Sequence, residues 1–277
     1  MSQLEDRAWG AYRLAGWRKA WLAFCHRLPA WPGMRRVALW LRKPLKMALS
    51  DWADVTVWGL RLRLFSKGNL SEQRVLLMPQ YFDRAERLAL AGELAGGGVF
   101  LDIGANIGSY SLWAASLGAA VRVEAFEPDA ELCNRLRFNL ETNRLLDRVR
   151  VHNLALGSQR GAMFLERGEI NRGQNRVVET AVEGAEEIRV ETLTGFLREA
   201  GIDRITALKI DVEGHEVAVL KPMLEEVPRS AWPALIVCEI EKKYRSAAEL
   251  AVWQLLVDAG YAMEKRARIN GLFRLKQ

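Results

Sequence analysis

Val99-Phe100-Leu101-Asp102-Ile103-Gly104-Ala105-Asn106-Ile107-Gly108-Ser109-Tyr110 is an apolar run that carries one acid and closes on two glycines. Such a run reads as a buried strand that bends sharply into a helix. Gly104 and Gly108 leave the main chain bare where it must turn and where a ligand approaches, and the helix behind them points N–H groups at that ligand. This is the pattern of the first turn of a nucleotide-binding α/β unit.

The spacing narrows the nucleotide. A dinucleotide fingerprint needs G-x-G-x-x-G, whereas here Asn106 stands at the second glycine position and Asp102 precedes the first glycine by two residues. A buried carboxylate repels a pyrophosphate but attracts the ammonium end of a methionine moiety. The cofactor expected is S-adenosyl-L-methionine, and NAD the less fitting alternative. A second run, Val121 to Phe126, reads as the next strand and ends in Glu127-Pro128-Asp129. An acid at that strand tip can accept hydrogen bonds from both ribose hydroxyls, which makes Glu127 the ribose anchor.

Outward from this centre, the C-terminal side alternates strands and helices. Helices are expected from Ser111 to Leu117, Ala130 to Glu141, Thr192 to Ala200 and Ala247 to Ala259, and another ends over Met223 to Val227. A strand and its exit are expected over Val149 to Leu156, and strands over Ile205 to Ile210, Ala234 to Glu241, Tyr261 to Glu264 and Leu272 to Leu275. The strand Ile205 to Ile210 ends in Asp211-Val212-Glu213-Gly214-His215-Glu216, so its acids and histidine belong on the same sheet edge as Asp102 and Glu127. His152 is read as packing or solvated. Gly161 to Ala185 is polar and reads either as an excursion touching substrate or as a surface hairpin.

On the N-terminal side, Val55 to Trp58 and Leu60 to Phe65 read as short strands around Gly59, the second half-exposed because basic residues alternate with apolar ones. A helix is expected from Phe82 to Leu94, before Gly96-Gly97-Gly98. From Trp9 to Leu49 the pattern is helical, interrupted by Pro29, Pro32 and Pro44, with Leu14, Trp17, Trp21, Phe24 and Leu28 on one face. The division expected is a basic helical extension over 1–54, a strand pair and helix over 55–98, and the nucleotide-binding domain over 99–277.

Composition sets limits. Of the 277 residues 50% are hydrophobic, enough for one large α/β domain with an appendage. Three separated cysteines without C-x-x-C spacing suggest neither a disulfide framework nor zinc, and point to a reducing, cytoplasmic setting. No apolar run is long enough to span a bilayer and no signal peptide is apparent. The net charge is +6, yet the first 50 residues alone hold ten Lys or Arg against Glu5 and Asp6, or +8, leaving −2 for the rest. A nucleic-acid partner is therefore not expected. Seven of the ten tryptophans precede residue 60, so residues 9–49 fit either peripheral contact with a membrane or burial against the body or a second subunit.

Phe100-Leu101-Asp102-Ile103-Gly104-Ala105-Asn106-Ile107-Gly108, Phe126-Glu127-Pro128, Asn153-Leu154-Ala155-Leu156-Gly157 and Lys209-Ile210-Asp211-Val212-Glu213-Gly214-His215-Glu216 together resemble the FkbM family of S-adenosylmethionine-dependent methyltransferases. The resemblance spans about residues 55–245 and leaves out the Trp-rich N-terminus. It implies an α/β, Rossmann-like, seven-stranded and mostly parallel sheet of the class I methyltransferase type, and O-methylation of a hydroxyl on a sugar, glycan, glycolipid or related natural product. It also implies that Asp102, Gly104, Ala105, Asn106 and Gly108 line the methionine end, that Pro128, Asp129, Leu154 and Ala155 flank the adenine, and that Asp211 faces the methyl group and the acceptor.

An alcohol is a weak nucleophile, so a base must take its proton as the new bond forms. Asp211 is favoured by position and His215 by its near-neutral titration, with Glu213 and Glu239 behind them. Asp211 and Glu213 alone do not make a metal site, and none is expected. Two rivals are an NAD-dependent oxidoreductase and a non-catalytic docking protein that keeps the scaffold. The acceptor and the oligomeric state are not legible.

Overall fold

The computed structural model describes residues 7–166, 176–178, 180, 184–240, 247–267 and 269–276. It begins with a helical hairpin, α1 (Gly16–Arg27) and α2 (Pro32–Ala48). Pro29 and Pro32 separate the two helices, and Pro32 opens α2, where a missing N–H costs nothing. The interruption expected at Pro44 is absent, because α2 runs through it. The carbonyl of Leu41 accepts from the Trp21 indole at 2.8 Å and Leu45 is fully buried, so packing on both sides of the proline offsets its cost of about 3 kcal/mol. Of the stripe, Leu14, Trp21 and Leu28 pack against the core alongside the buried Leu22, whereas Trp17 and Phe24 are exposed.

Strands β1 (Trp52–Val57) and β2 (Leu60–Phe65) pair antiparallel across Trp58-Gly59, whose φ angles of 53° and 81° give the turn the hand that a two-residue hairpin needs. Arg63, expected on a solvated face, is instead buried. Its guanidinium holds Asp54 through Nε at 2.8 Å and Nη2 at 3.0 Å, and reaches the carbonyls of Arg7 and Ala8. Asp54 in turn accepts from the amides of Gly10 and Tyr12. Burial alone would raise this carboxyl, but Arg63 and the two amides outweigh it and hold it below its ordinary value.

The chain continues through α3 (Leu70–Leu77), α4 (Arg84–Glu93), β3 (Gly98–Ile103), α5 (Ser109–Ser116), β4 (Val121–Phe126), α6 (Ala130–Asn143) and β5 (Val149–His152). Then come β6 (Ala155–Gly157), β7 (Gly161–Glu166), β8 (Arg176–Val178), β9 (Glu186–Thr192), α7 (Leu193–Ala200), β10 (Ala207–Ile210), α8 (Glu216–Glu226), β11 (Leu235–Glu239), α9 (Ala247–Asp258), β12 (Tyr261–Ala267) and β13 (Asn270–Leu275). Two Asn side chains of α6 close the outer edge of β2: Asn139 exchanges hydrogen bonds with the backbone of Arg63, and Asn143 does so with Arg61. Four residues on a helix and two on a strand both advance about 6 Å, so the ladder fits.

Seven strands form the main sheet in the order β12-β13-β11-β10-β3-β4-β5, all parallel except β13. Along β3, Phe100 faces the layer of α4, α5, α6 and the N-terminal hairpins, while Leu101 and Ile103 face α7, α8 and α9. The run from Val149 to Leu156, expected as a strand and its exit, forms β5 and then β6. Asn153 donates to the carbonyls of Glu127 and Pro128 and turns the chain out, so β6 joins a separate four-stranded sheet, β6-β9-β7-β8. That sheet holds the described parts of the polar excursion. The remaining parts of the excursion, and Glu241, lie outside the described residues.

Candidate active site

The register of the sheet assembles the site. Asp102 lies opposite Lys209 across β3 and β10, Ile103 opposite Phe126 across β3 and β4, and Ile210 opposite Cys238 across β10 and β11. The residues after those pairs, Gly104, Glu127, Asp211 and Glu239, therefore share one carboxyl rim at the point where the strand order reverses. That is where an open α/β sheet offers a crevice. A cavity of about 490 Å³ opens there, roofed by residues of the small sheet.

Of the sequence-predicted residues, Gly104, Ala105, Asn106, Glu127, Pro128, Leu154, Ala155, Asp211 and His215 line this cavity. Asp102, Gly108 and Asp129 are not among its lining residues. Asp102 is buried, with Oδ2 accepting from Ser111 Oγ at 2.6 Å and Oδ1 facing Lys209 Nζ at 3.8 Å without a hydrogen bond among the described residues. Burial pushes its carboxyl up against the pull of Lys209 and Ser111. Gly108, at φ +77°, lies so near Leu136 that a Cβ would come within 2.0 Å of that side chain. Asp129 caps α6 by accepting from the amides of Glu131 and Leu132.

The glycine turn is held from within. At Gly104, with φ +74°, a Cβ would stand 1.9 Å from the carbonyl oxygen of Asp211, so only glycine lets the two loops meet. The amides of Gly104 and Ala105 donate to Phe126 O, that of Asn106 to Glu127 Oε2, that of Ile107 to Asn106 Oδ1, and that of Gly108 to Ala105 O. Five amides that a pyrophosphate would need are thus already engaged, which counts against a dinucleotide. Glu127 is different: it lines the cavity, and each oxygen accepts one backbone amide, from Asn106 at 2.8 Å and Asp129 at 2.9 Å. A carboxylate offers about four acceptor sites, so two remain for ligand hydroxyls. Burial raises its carboxyl to about 7 despite both amides. The residues present fit an adenosyl ligand, with Glu127 for the ribose and the Leu154-Ala155 stretch for the ring.

The acceptor side holds residues that sequence reasoning passed over. Lys209 is buried, donates to Gly104 O at 2.9 Å and stands 3.5 Å from Asp211 Oδ2. Its signal was a lone cation inside the apolar run before Asp211. Arg74 pairs with Asp83, whose other oxygen accepts from the Tyr110 hydroxyl at 3.2 Å, and all three line the cavity. Arg74 sits on α3, a helix announced only by its cap, in which Asn69 accepts the amide of Glu72. Glu239 hydrogen-bonds Asp211. Burial first, then the charge of Asp211, push its carboxyl well above the ordinary range, so it keeps a proton near neutrality. Glu216 turns back to accept from the amides of Val212 and Gly214, and so shapes the loop. His215 Nε2 lies 2.9 Å from the carbonyl of Val177 on the roof sheet. A carbonyl only accepts, so Nε2 carries the proton and Nδ1 is the basic nitrogen. His152 packs against Phe126 and pairs with Glu124 at 2.8 Å.

Residues 102–263, more than half of the chain, match the Methyltransferase FkbM domain. Methyltransferase sdnD of Sordaria araneosa is 29% identical, over 58% of this chain and 72% of that one. Hexuronic acid methyltransferase AglP of Haloferax volcanii is 33% identical over 45% of this chain and 49% of its own, so this chain spans about half its length. Among solved structures, the O-methyltransferase from Bacillus cereus in complex with SAH has a TM-score of 0.44 at 13% identity, covering 70% of this chain and 80% of that one. By the family match over residues 102–263, the chain belongs to the FkbM family of S-adenosylmethionine-dependent methyltransferases.

Proposed function

We propose that the protein O-methylates a hydroxyl of a sugar, glycan or related acceptor bound beside Asp211. The observation that carries this reading is the setting of Asp211. Its carboxylate is 42% exposed at the rim, with Lys209 on one side and a protonated Glu239 on the other. Both neighbours present donors to it, and its remaining acceptor sites are open to a hydroxyl proton. Bound S-adenosylmethionine supplies an electrophilic methyl group. The chain's own work is to hold the acceptor oxygen in line, exclude water under the roof sheet, and receive the proton at a carboxylate oxygen of Asp211. His215, with Nδ1 as its basic atom, is the second candidate for that proton. The name of the hexuronic acid methyltransferase relative supports a sugar acceptor.

Calorimetry with S-adenosylhomocysteine on wild type and Glu127→Ala tests the donor site. Binding that is lost in the variant is the expected outcome. Incubation with labelled S-adenosylmethionine and a panel of hydroxylated glycans then tests the reaction. A methyl ether on the product supports the reading, and methyl incorporation at nitrogen or carbon overturns it. Asp211→Asn is expected to lower kcat by about 10²–10⁴, more than His215→Gln does.

A further inference from the structure

We propose that the outer face of the α1–α2 hairpin docks on a bilayer surface containing anionic phospholipid. Trp17, Trp31 and Trp40, the exposed tryptophans among the described residues, all belong to this hairpin, together with exposed Phe24, Val37 and Met47. Trp40 is 68% and Met47 87% exposed, values that packing against the body does not explain. At 3.6 residues per turn, Val37, Trp40 and Met47 form one strip of α2, on the side away from the buried Ala38 and Leu45, with Arg36 and Lys43 beside it. The helix has two apolar faces, and its own protein covers one of them.

Charge selects what covers the other. Residues 7–50 carry ten Lys or Arg and no acid. A second copy would bring the same charge to an isologous contact and be repelled. Indole rings at headgroup depth with cations on the lipid phosphates satisfy both the apolar strip and the charge. Among the described residues no helix is long and apolar enough to cross a membrane, so the contact is one of lying on the surface. The dock also adjoins the cavity. Tyr81 donates to the carbonyl of Pro29 at the hairpin turn at 2.6 Å, and the next two residues, Phe82 and Asp83, line the cavity wall. An acceptor carried in the membrane surface would meet the site from this side. The proposal stands apart from the choice of acceptor.

The test is co-sedimentation of the full chain with vesicles of phosphatidylcholine, alone or mixed with phosphatidylglycerol, beside the triple variant Trp17→Ser, Trp31→Ser, Trp40→Ser. Wild type is expected to sediment with the mixed vesicles, to release as salt rises, and to bind phosphatidylcholine alone poorly. The variant should bind the mixed vesicles at least about tenfold more weakly, while binding S-adenosylhomocysteine as wild type does, which shows it folded. No sedimentation of wild type with mixed vesicles, or equal sedimentation of the variant, overturns the proposal. So does a wild-type dimer that the variant turns into a monomer, because the face then belongs to a second copy.

Discussion

Glu127 sets a pH dependence of its own. Burial raises its carboxyl to about 7, so if it holds the ribose as proposed, the ligand loses an ionised acceptor as pH falls through 7. Affinity for S-adenosylhomocysteine should fall roughly tenfold per pH unit below that point, and calorimetry across pH, with Glu127→Gln flat by comparison, checks it. The same shift acts on folding with the opposite sense. Between its ordinary value of 4.5 and about 7, the folded state keeps a proton that the unfolded chain releases, so stability declines as pH rises through that window. The decline amounts to about 3 kcal/mol at most. Binding and stability therefore make opposite demands on one carboxyl. Lys209 is the second residue with a large expected effect. Lys209→Met leaves Asp102 buried beside no cation and should cost about 3–5 kcal/mol in denaturant unfolding, a deficit that narrows in acid as Asp102 takes up a proton.

Among the elements, the N-terminal hairpins depend most on a single buried pair. Arg63→Met would leave Asp54 charged, buried and held only by two amides, at an expected cost of about 3–5 kcal/mol, with residues 7–13 the first to lose protection in hydrogen exchange. The sequence explains why some elements were readable and others not. β3, β4 and β10 announced themselves through short apolar runs ending in glycine or acid, signals local to each strand, and the rim followed from their order. The positions of Arg63, Lys209 and Asp102 depend on partners in other elements: Arg63 looked solvated because its Asp54 lies on the facing strand, and Asp102 faces Ser111 of α5 and Lys209 of β10. Helix α3 is short and its capping signal, Asn69 with Glu72, lies in a stretch with no strong period. Pro44 misled because a local rule was outweighed by tertiary packing.

At the scale of the molecule, the cavity joins distant parts of the chain: the glycine turn, the Glu127 and Asp211 loops, the roof sheet, and the α3–α4 region. A ligand that bridges them should stabilise the whole fold. At a hundredfold excess over Kd, S-adenosylhomocysteine should add about 2.7 kcal/mol, seen as a rise of several degrees in Tm that Glu127→Ala abolishes. The Asn139–Asn143 ladder has a consequence in time. Its partners on β2 precede it by 76 and 82 residues. At a synthesis rate of roughly 5–20 residues per second, the edge of β2 stays open for about 4–16 s on the ribosome before α6 emerges to seal it. In that interval the nascent hairpin presents one unpaired strand edge to its surroundings, and two asparagines, made late, end the exposure.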